Sequence, residues 1–206
     1  MLKIFFREAV NVANGPAIFI DRDGVINCRR PGDYVLDWSQ FVFVPGIREA
    51  LKQLSSLGRS IIVISNQAAV GKGLLDLDGL KEITARMNET LVADGTILAA
   101  AYYCPHRIED NCPCRKPKPA LLFSAAADFN IDLGRSIFIG DSLTDVQAAR
   151  AAGCKPVLLG AALHADADSS QGDVDLILAA TAPELFHVTL KCLQGETAVL
   201  RGDWTV

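Results

Sequence analysis

No run of Lys and Arg stands out along the 206 residues, and the formal net charge is −4 at a pI near 5.4. A protein that lives on nucleic-acid phosphates needs such a cationic stripe, so that class is excluded. No apolar stretch approaches the ~20 residues that cross a bilayer. The opening MLKIFFREAV reaches Arg7 and Glu8 after a very short apolar run, whereas a secretory leader needs a longer one. A cytosolic chain is therefore expected. Internal repeats and low-complexity tracts are also missing, which argues against a repeat array or a linker-rich chain. What is present is core-forming material: half of the residues are apolar and 21% are charged, which rules out wholesale disorder. At ~150 residues per domain the length suits a single domain spanning 1–206.

Short β-branched and aromatic runs alternate with helical spacing. Residues 17–20, 61–64, 99–103, 136–139, 156–159 and 174–178 read as buried strands. Residues 46–57, 76–93, 118–129, 143–152 and 183–193 read as helices, with Gly58 and Gly153 placed where helices stop. Continuous apolar strands joined by helices predict an α/β fold: a parallel sheet covered by helices on both faces. Residues 161–173 read as a loop, and the first fifteen and last dozen residues as peripheral additions. The connections leave no room for a large cap domain.

In such sheets the working groups collect just past the carboxyl ends of the strands. After 17–20 stand Asp21 and Asp23, in IFIDRDG. Residues two apart in extended chain share a side, so both carboxylates face one pocket, and Gly24 allows a sharp turn behind them. Two carboxylates can divide the labour of nucleophile and general acid/base. A calcium loop is excluded because the acid required at its twelfth position is absent. After 61–64 stand Ser65, Asn66 and Gln67, a neutral donor set suited to phosphoryl oxygens, although Ser65 could equally cap a helix. After 136–139 stand Gly140 and Asp141, with Asp145 four residues on. The helix macrodipole alone accounts for an acid at the position of Asp145.

Six cysteines are present, and in a cytosolic chain of this size a metal site is a better default than disulfides. Cys104, His106, Cys112 and Cys114 fall in one stretch of 11 residues, where composition alone predicts ~0.5 Cys or His. A Cys₃His set suits zinc, and four protein ligands leave no open position, so the site is structural. Pro105 and Pro113 stiffen the loop, which leads at once to Arg115 and Lys116. Cys28 is expected near the pocket mouth, and Cys154 and Cys192 in core packing.

The order of these stations, DRDGVIN, SNQ, CPH with CPCRKP, then IGDSLTD, resembles the haloacid dehalogenase (HAD) superfamily of phosphohydrolases over residues 16–160. Within it the strings resemble the branch containing heptose bisphosphate and histidinol-phosphate phosphatases. The resemblance implies a Rossmann-like HAD fold and a hydrolase of phosphoric monoesters. Asp21 would be the nucleophile, and Asp23 the acid and then the base. Ser65 and Lys116 would hold the phosphoryl group. Mg²⁺ would lie on Asp21, the backbone carbonyl of Asp23, and Asp141. Arg29, Arg30, Asn66, Gln67 and Arg115 would touch substrate.

The implied partner is a small phosphate ester, first a sugar bisphosphate of carbohydrate metabolism, with histidinol phosphate as the alternative. No nucleic acid, membrane or second subunit is expected. A non-catalytic zinc-stabilised binding protein is the reading from a different class. Electrostatics favours the enzyme. A carboxylate attacking an anionic phosphate at ~4 Å meets about 4 kcal/mol of repulsion at an effective dielectric of 20, roughly three decades of rate. A divalent cation and Lys116 would cancel that repulsion.

Overall fold

The computed structural model describes residues 1–6, 15–30, 33–160, 177–179 and 181–194. Its strands are β1 (Leu2–Phe5), β2 (Ile18–Ile20), β3 (Ile61–Asn66), β4 (Leu98–Cys104), β5 (Ile137–Gly140), β6 (Lys155–Leu159) and β7 (Ile177–Ala179). Its helices are α1 (Ile47–Ser55), α2 (Ala68–Gly71), α3 (Leu77–Ala93), α4 (Ala120–Phe129), α5 (Leu143–Ala152) and α6 (Glu184–Leu193). The expected loop 161–173, residues 174–176 of the expected last strand, and the last dozen residues lie outside the described residues. So do residues 7–14 and the side chain of Cys192.

All seven strands join one sheet in the order β1-β4-β3-β2-β5-β6-β7. Its central strands alternate strictly between two cores, as the two-residue period of extended chain requires. Ile18 and Ile20 of β2, Ile61 and Val63 of β3, and Ile137 and Ile139 of β5 face one side. There they meet α1, α3 and α6 through residues such as Leu51, Leu54, Ile83, Met87 and Leu185. Phe19, Ile62, Ile64 and Phe138 face the other side and meet Leu121, Leu122 and Ala125 of α4 and Ala148 and Ala149 of α5. Helix α1 buries Ile47, Ala50, Leu51 and Leu54, spaced three and four apart along one stripe. Helix α4 starts later than the expected residue 118, because Lys118 precedes Pro119, whose ring disfavours the helical conformation in the residue before it.

The sheet is parallel except at one edge. Strand β1 runs antiparallel to β4, with Leu2 opposite Tyr103 and Phe5 opposite Ala100. Residues 2–5, read from sequence as part of a peripheral extension, thus form the outermost strand. Lys3 ties this edge down through an ion pair to Asp128 at 2.6 Å.

Register sets the position of the site. Ile20 is level with Val63 on one side and with Ile139 on the other. Asn66 is level with Cys104. Sequential strands leave β2 in both directions, β3 on one side and β5 on the other, so the crevice at this switch lies beyond the carboxyl ends of β2, β3 and β5.

Candidate active site

Strand β2 stops at Ile20, and the next residues curl. The amide of Asp21 still bonds Ile139 O at 2.9 Å, while the amides of Ile26 and Asn27 both bond back to Arg22 O. Gly24 sits in the turn with φ +94°, and a Cβ built there would lie 1.8 Å from Asp141 Oδ2. Only glycine lets the loop approach Asp141 this closely. Gly140 does the same service beneath Asp145, whose Cβ would be 2.2 Å from a methyl group at that position.

Asp21, Asp141 and Asp145 each offer a carboxylate oxygen, all within 4.8 Å of one another. Lys116 enters from below. Its Nζ lies 2.9 Å from Asp21 Oδ2 and 2.6 Å from Asp145 Oδ1, and donates to Ile64 O at 3.1 Å. The lysine is only 4% exposed. Burial alone would lower its pKa, but the facing charges of Asp145 and Asp21 outweigh that, and the ammonium is held above its ordinary value. Burial is the main cause that raises Asp21 to about 6, with Lys116 opposing it. Asp141 is raised to about 7 by burial first and then by the charge of Asp21, against the pull of Arg29.

Asp23 is not part of this carboxylate group. Arg22 donates to it from Nε and Nη2 at 2.9–3.2 Å, Asn27 Nδ2 at 2.9 Å and Gln67 Nε2 at 2.7 Å. Burial pushes the Asp23 carboxyl up, but Arg22 and these hydrogen bonds prevail and hold it below the usual carboxylate range.

Ser65 Oγ is buried and accepts from Gln67 Nε2 at 3.1 Å. Asn66 clasps the main chain of Lys116 both ways, donating to its carbonyl at 3.2 Å and accepting its amide at 3.0 Å. Arg115 Nη1 donates to His106 O at 3.2 Å. Arg29 pairs with Asp141 at 2.7 Å, and Arg30 with Asp33 at 3.3 Å. Cys28 is half-buried with its Sγ 3.7 Å from Phe43 O, and Cys154 is buried in the core as expected.

Three residues escaped the sequence reading. Asp145 is 2% exposed, and its Oδ2 takes the amides of Asp141 and Ser142 and the Ser142 hydroxyl. Its four-residue spacing from Asp141 was the available signal, but the macrodipole explained that spacing sufficiently. Arg22, 1% exposed, and Asn27, fully buried, both act on Asp23. The signal for Arg22 was an arginine locked between two aspartates at a strand end.

The Cys₃His loop is drawn together. Cys104 Sγ is 3.5 Å from Cys112 Sγ and from His106 Nδ1, Cys112 Sγ is 3.7 Å from Cys114 Sγ, and Cys114 Sγ is 3.3 Å from His106 Nδ1. Ligands ~2.3 Å from a tetrahedral zinc stand about 3.7 Å apart, so this donor set fits that ion. A disulfide needs sulfurs ~2.05 Å apart, and these cysteines are free. The hard oxygens of Asp21 and Asp141 suit Mg²⁺ instead, which binds few carboxylates and keeps waters. Asp145 already has both oxygens engaged by Lys116 and by its own helix start.

A HAD-hydrolase-like family profile matches residues 113–181. The D-glycero-beta-D-manno-heptose-1,7-bisphosphate 7-phosphatase of Pseudomonas aeruginosa is 38% identical over 142 residues, covering 69% of this chain and 79% of that protein. The chain belongs to the HAD-like heptose bisphosphate phosphatase family. The D-glycero-alpha-D-manno-heptose-1,7-bisphosphate 7-phosphatase of Mycobacterium tuberculosis is also 38% identical, over 158 residues, covering 70% of this chain and 80% of that protein. A crystal structure of D,D-heptose 1,7-bisphosphate phosphatase from B. bronchiseptica, complexed with magnesium and phosphate, superposes with TM-score 0.77 at 30% identity. It covers 87% of this chain and 99% of that one. The protein is therefore a HAD phosphatase, a phosphoric monoester hydrolase.

The raised carboxyls of this HAD phosphatase carry a pH signature. Between 3.8 and about 7 the folded chain keeps a proton on Asp141 that the unfolded chain has released. Stability from this group is thus present at the acid end and lost as pH rises through the folded value. Without added divalent cation, Asp141→Asn should show a flatter dependence of urea stability on pH between about 4 and about 7. Equal slopes in the two proteins would show that Asp141 is not raised.

Proposed function

We propose that the protein hydrolyses the 7-phosphate of a D-glycero-D-manno-heptose 1,7-bisphosphate. The observation that carries this reading is the closure of Asp21, Asp141 and Asp145 to within 4.8 Å beside Lys116, in a chain 38% identical to phosphatases of that name. In this reading Asp21 attacks phosphorus and forms an aspartyl-phosphate. Lys116, ion-paired to Asp21 at rest, offers its charge to the incoming phosphoryl oxygens, and the Ser65 hydroxyl offers a further donor. Asp23 gives a proton to the leaving alkoxide and later takes one from the attacking water. The fork of Arg22 with Asn27 and Gln67 keeps resting Asp23 in the carboxylate form, which suits the second of these steps and opposes the first, so Asp23 must take up a proton from water before the alkoxide leaves.

A Mg²⁺ ion held by Asp21, Asp141 and the backbone carbonyl of Asp23 would supply positive charge opposite the phosphoryl oxygens. Gln67 and Asn66 act through neighbours at rest and, with Arg115 and Arg30, are assigned to contact the sugar. Cys104, His106, Cys112 and Cys114 would hold a structural zinc. Thiolate ligands persist where thiols stay reduced, so the cytoplasm is the compartment this reading requires. The enzyme acts as a monomer on a small ester, away from nucleic acid and membrane. Among the described residues no helix is long and apolar enough to cross a membrane.

Asp21→Asn removes the attacking oxygen's charge, so turnover should vanish while circular dichroism and zinc content stay unchanged; an active variant would refute the nucleophile. Heptose 1,7-bisphosphate and L-histidinol phosphate should be assayed side by side. The heptose ester should have the larger kcat/KM, and a tenfold preference for histidinol phosphate would reverse the substrate assignment. Elemental analysis should find one zinc per chain in the parent. In Cys112→Ser zinc should fall, and turnover with it, because the loop leading into Lys116 loosens. Full activity with no zinc bound would remove the loop's role.

A further inference from the structure

We propose that Arg29 is a displaceable counter-ion: it stands on Asp141 in place of a divalent cation and moves to the phosphate ester once that cation binds. The inference rests on the cation site proposed above. Three carboxylates meet in the pocket, and two of them, Asp21 and Asp145, share the buried ammonium of Lys116. Asp141 has no share in that pairing. Its counter-ion is Arg29, whose Nη2 reaches Asp141 Oδ1 at 2.7 Å from the far end of the loop that also carries Gly24. Gly24 lies against the other oxygen, Oδ2. The carboxylate is thus enclosed on one side by main chain that cannot leave and on the other by a side chain that can.

Exposure separates the two ion pairs. The Lys116 and Asp145 side chains are each 2% exposed, whereas Arg29 is 56% exposed and Asp141 13%. A buried pair is costly to open because each charge would be left unpaired, but a half-exposed pair is held weakly and is easily replaced. A divalent ion on Asp141 and a guanidinium on the same carboxylate repel each other, so cation binding at this site must work against Arg29. Once released, the guanidinium stays at the pocket mouth as a planar fork of donors, the geometry that fits phosphate oxygens in pairs. Cation and phosphate then favour each other's binding through Arg29, and the coupling is reciprocal.

The test uses the full chain and Mg²⁺ alone, by isothermal titration calorimetry with no substrate present and at a pH above the raised Asp141 value of about 7. Arg29→Gln should bind Mg²⁺ about fivefold more tightly than the parent, the size expected when a competing half-exposed pair is removed. Arg29→Lys should lie between them. Saturating inorganic phosphate should tighten Mg²⁺ binding in the parent and do so less in Arg29→Gln. In turnover the loss should fall mainly on KM rather than kcat, with partial rescue by Arg29→Lys. Equal or weaker Mg²⁺ binding by Arg29→Gln would overturn the proposal. Asp141→Asn separates the two readings: if it binds Mg²⁺ as well as the parent, the cation site itself is wrong, whatever Arg29 does. Arg29 is half in solvent, and matched thermal midpoints will verify that the variants fold.

Discussion

Everything in the pocket is arranged around one buried ammonium. Lys116 is nearly inaccessible to solvent, yet it remains charged because Asp21 and Asp145 face it from two different strand-to-helix junctions. Neither acid could be buried without it, since an unpaired carboxylate away from water costs several kcal/mol. The lysine in turn could not be buried without them. The three side chains therefore fold as a unit, and that unit joins the end of β2, the start of α5 and the segment that precedes α4. Asp141 is the acid left over, which is why its charge is the one open to exchange.

The segment carrying Lys116 has little regular structure of its own and borrows rigidity from its surroundings. Asn66, the last residue of β3, holds the lysine's peptide group from both sides. One residue on, the amide of Gln67 bonds Cys104 O at the end of β4. Arg115 reaches back to His106. The Cys₃His cluster is thus stitched to the ends of β3 and β4, which hold the Lys116 segment, with Cys104, Cys112 and Cys114 packed into the α4–α5 core. A cation held in that cluster would act on the pocket through main-chain bonds without touching substrate.

Much of this was legible in the sequence, for identifiable reasons. Apolar runs with alternating contacts fix a strand and its two faces, so Phe19 against Ile18 and Ile20 could be foreseen. Asp21, Asp141 and Lys116 stand where a parallel sheet must put its chemistry, and a cluster of soft ligands is conspicuous by density alone. Other features had no local signal or a misleading one. Asp145 had an adequate bland explanation in its helix position. Arg22 was hidden because alternation was extended past Ile20, whereas the chain curls there and its carbonyl gathers the amides of Ile26 and Asn27. Strand β1 pairs with residues about a hundred positions away, and four residues carry too little pattern to announce that.

That first strand has its own consequence. Strand β4 is buried along all seven of its residues and would otherwise be the sheet's outer margin. By laying Leu2–Phe5 along it, the chain replaces a long, flat, apolar margin with a short one that carries a lysine paired to Asp128. Short margins bearing charge resist pairing with strands of other molecules. The leading residues therefore leave β4 no open edge on that side, a covering that is independent of catalysis.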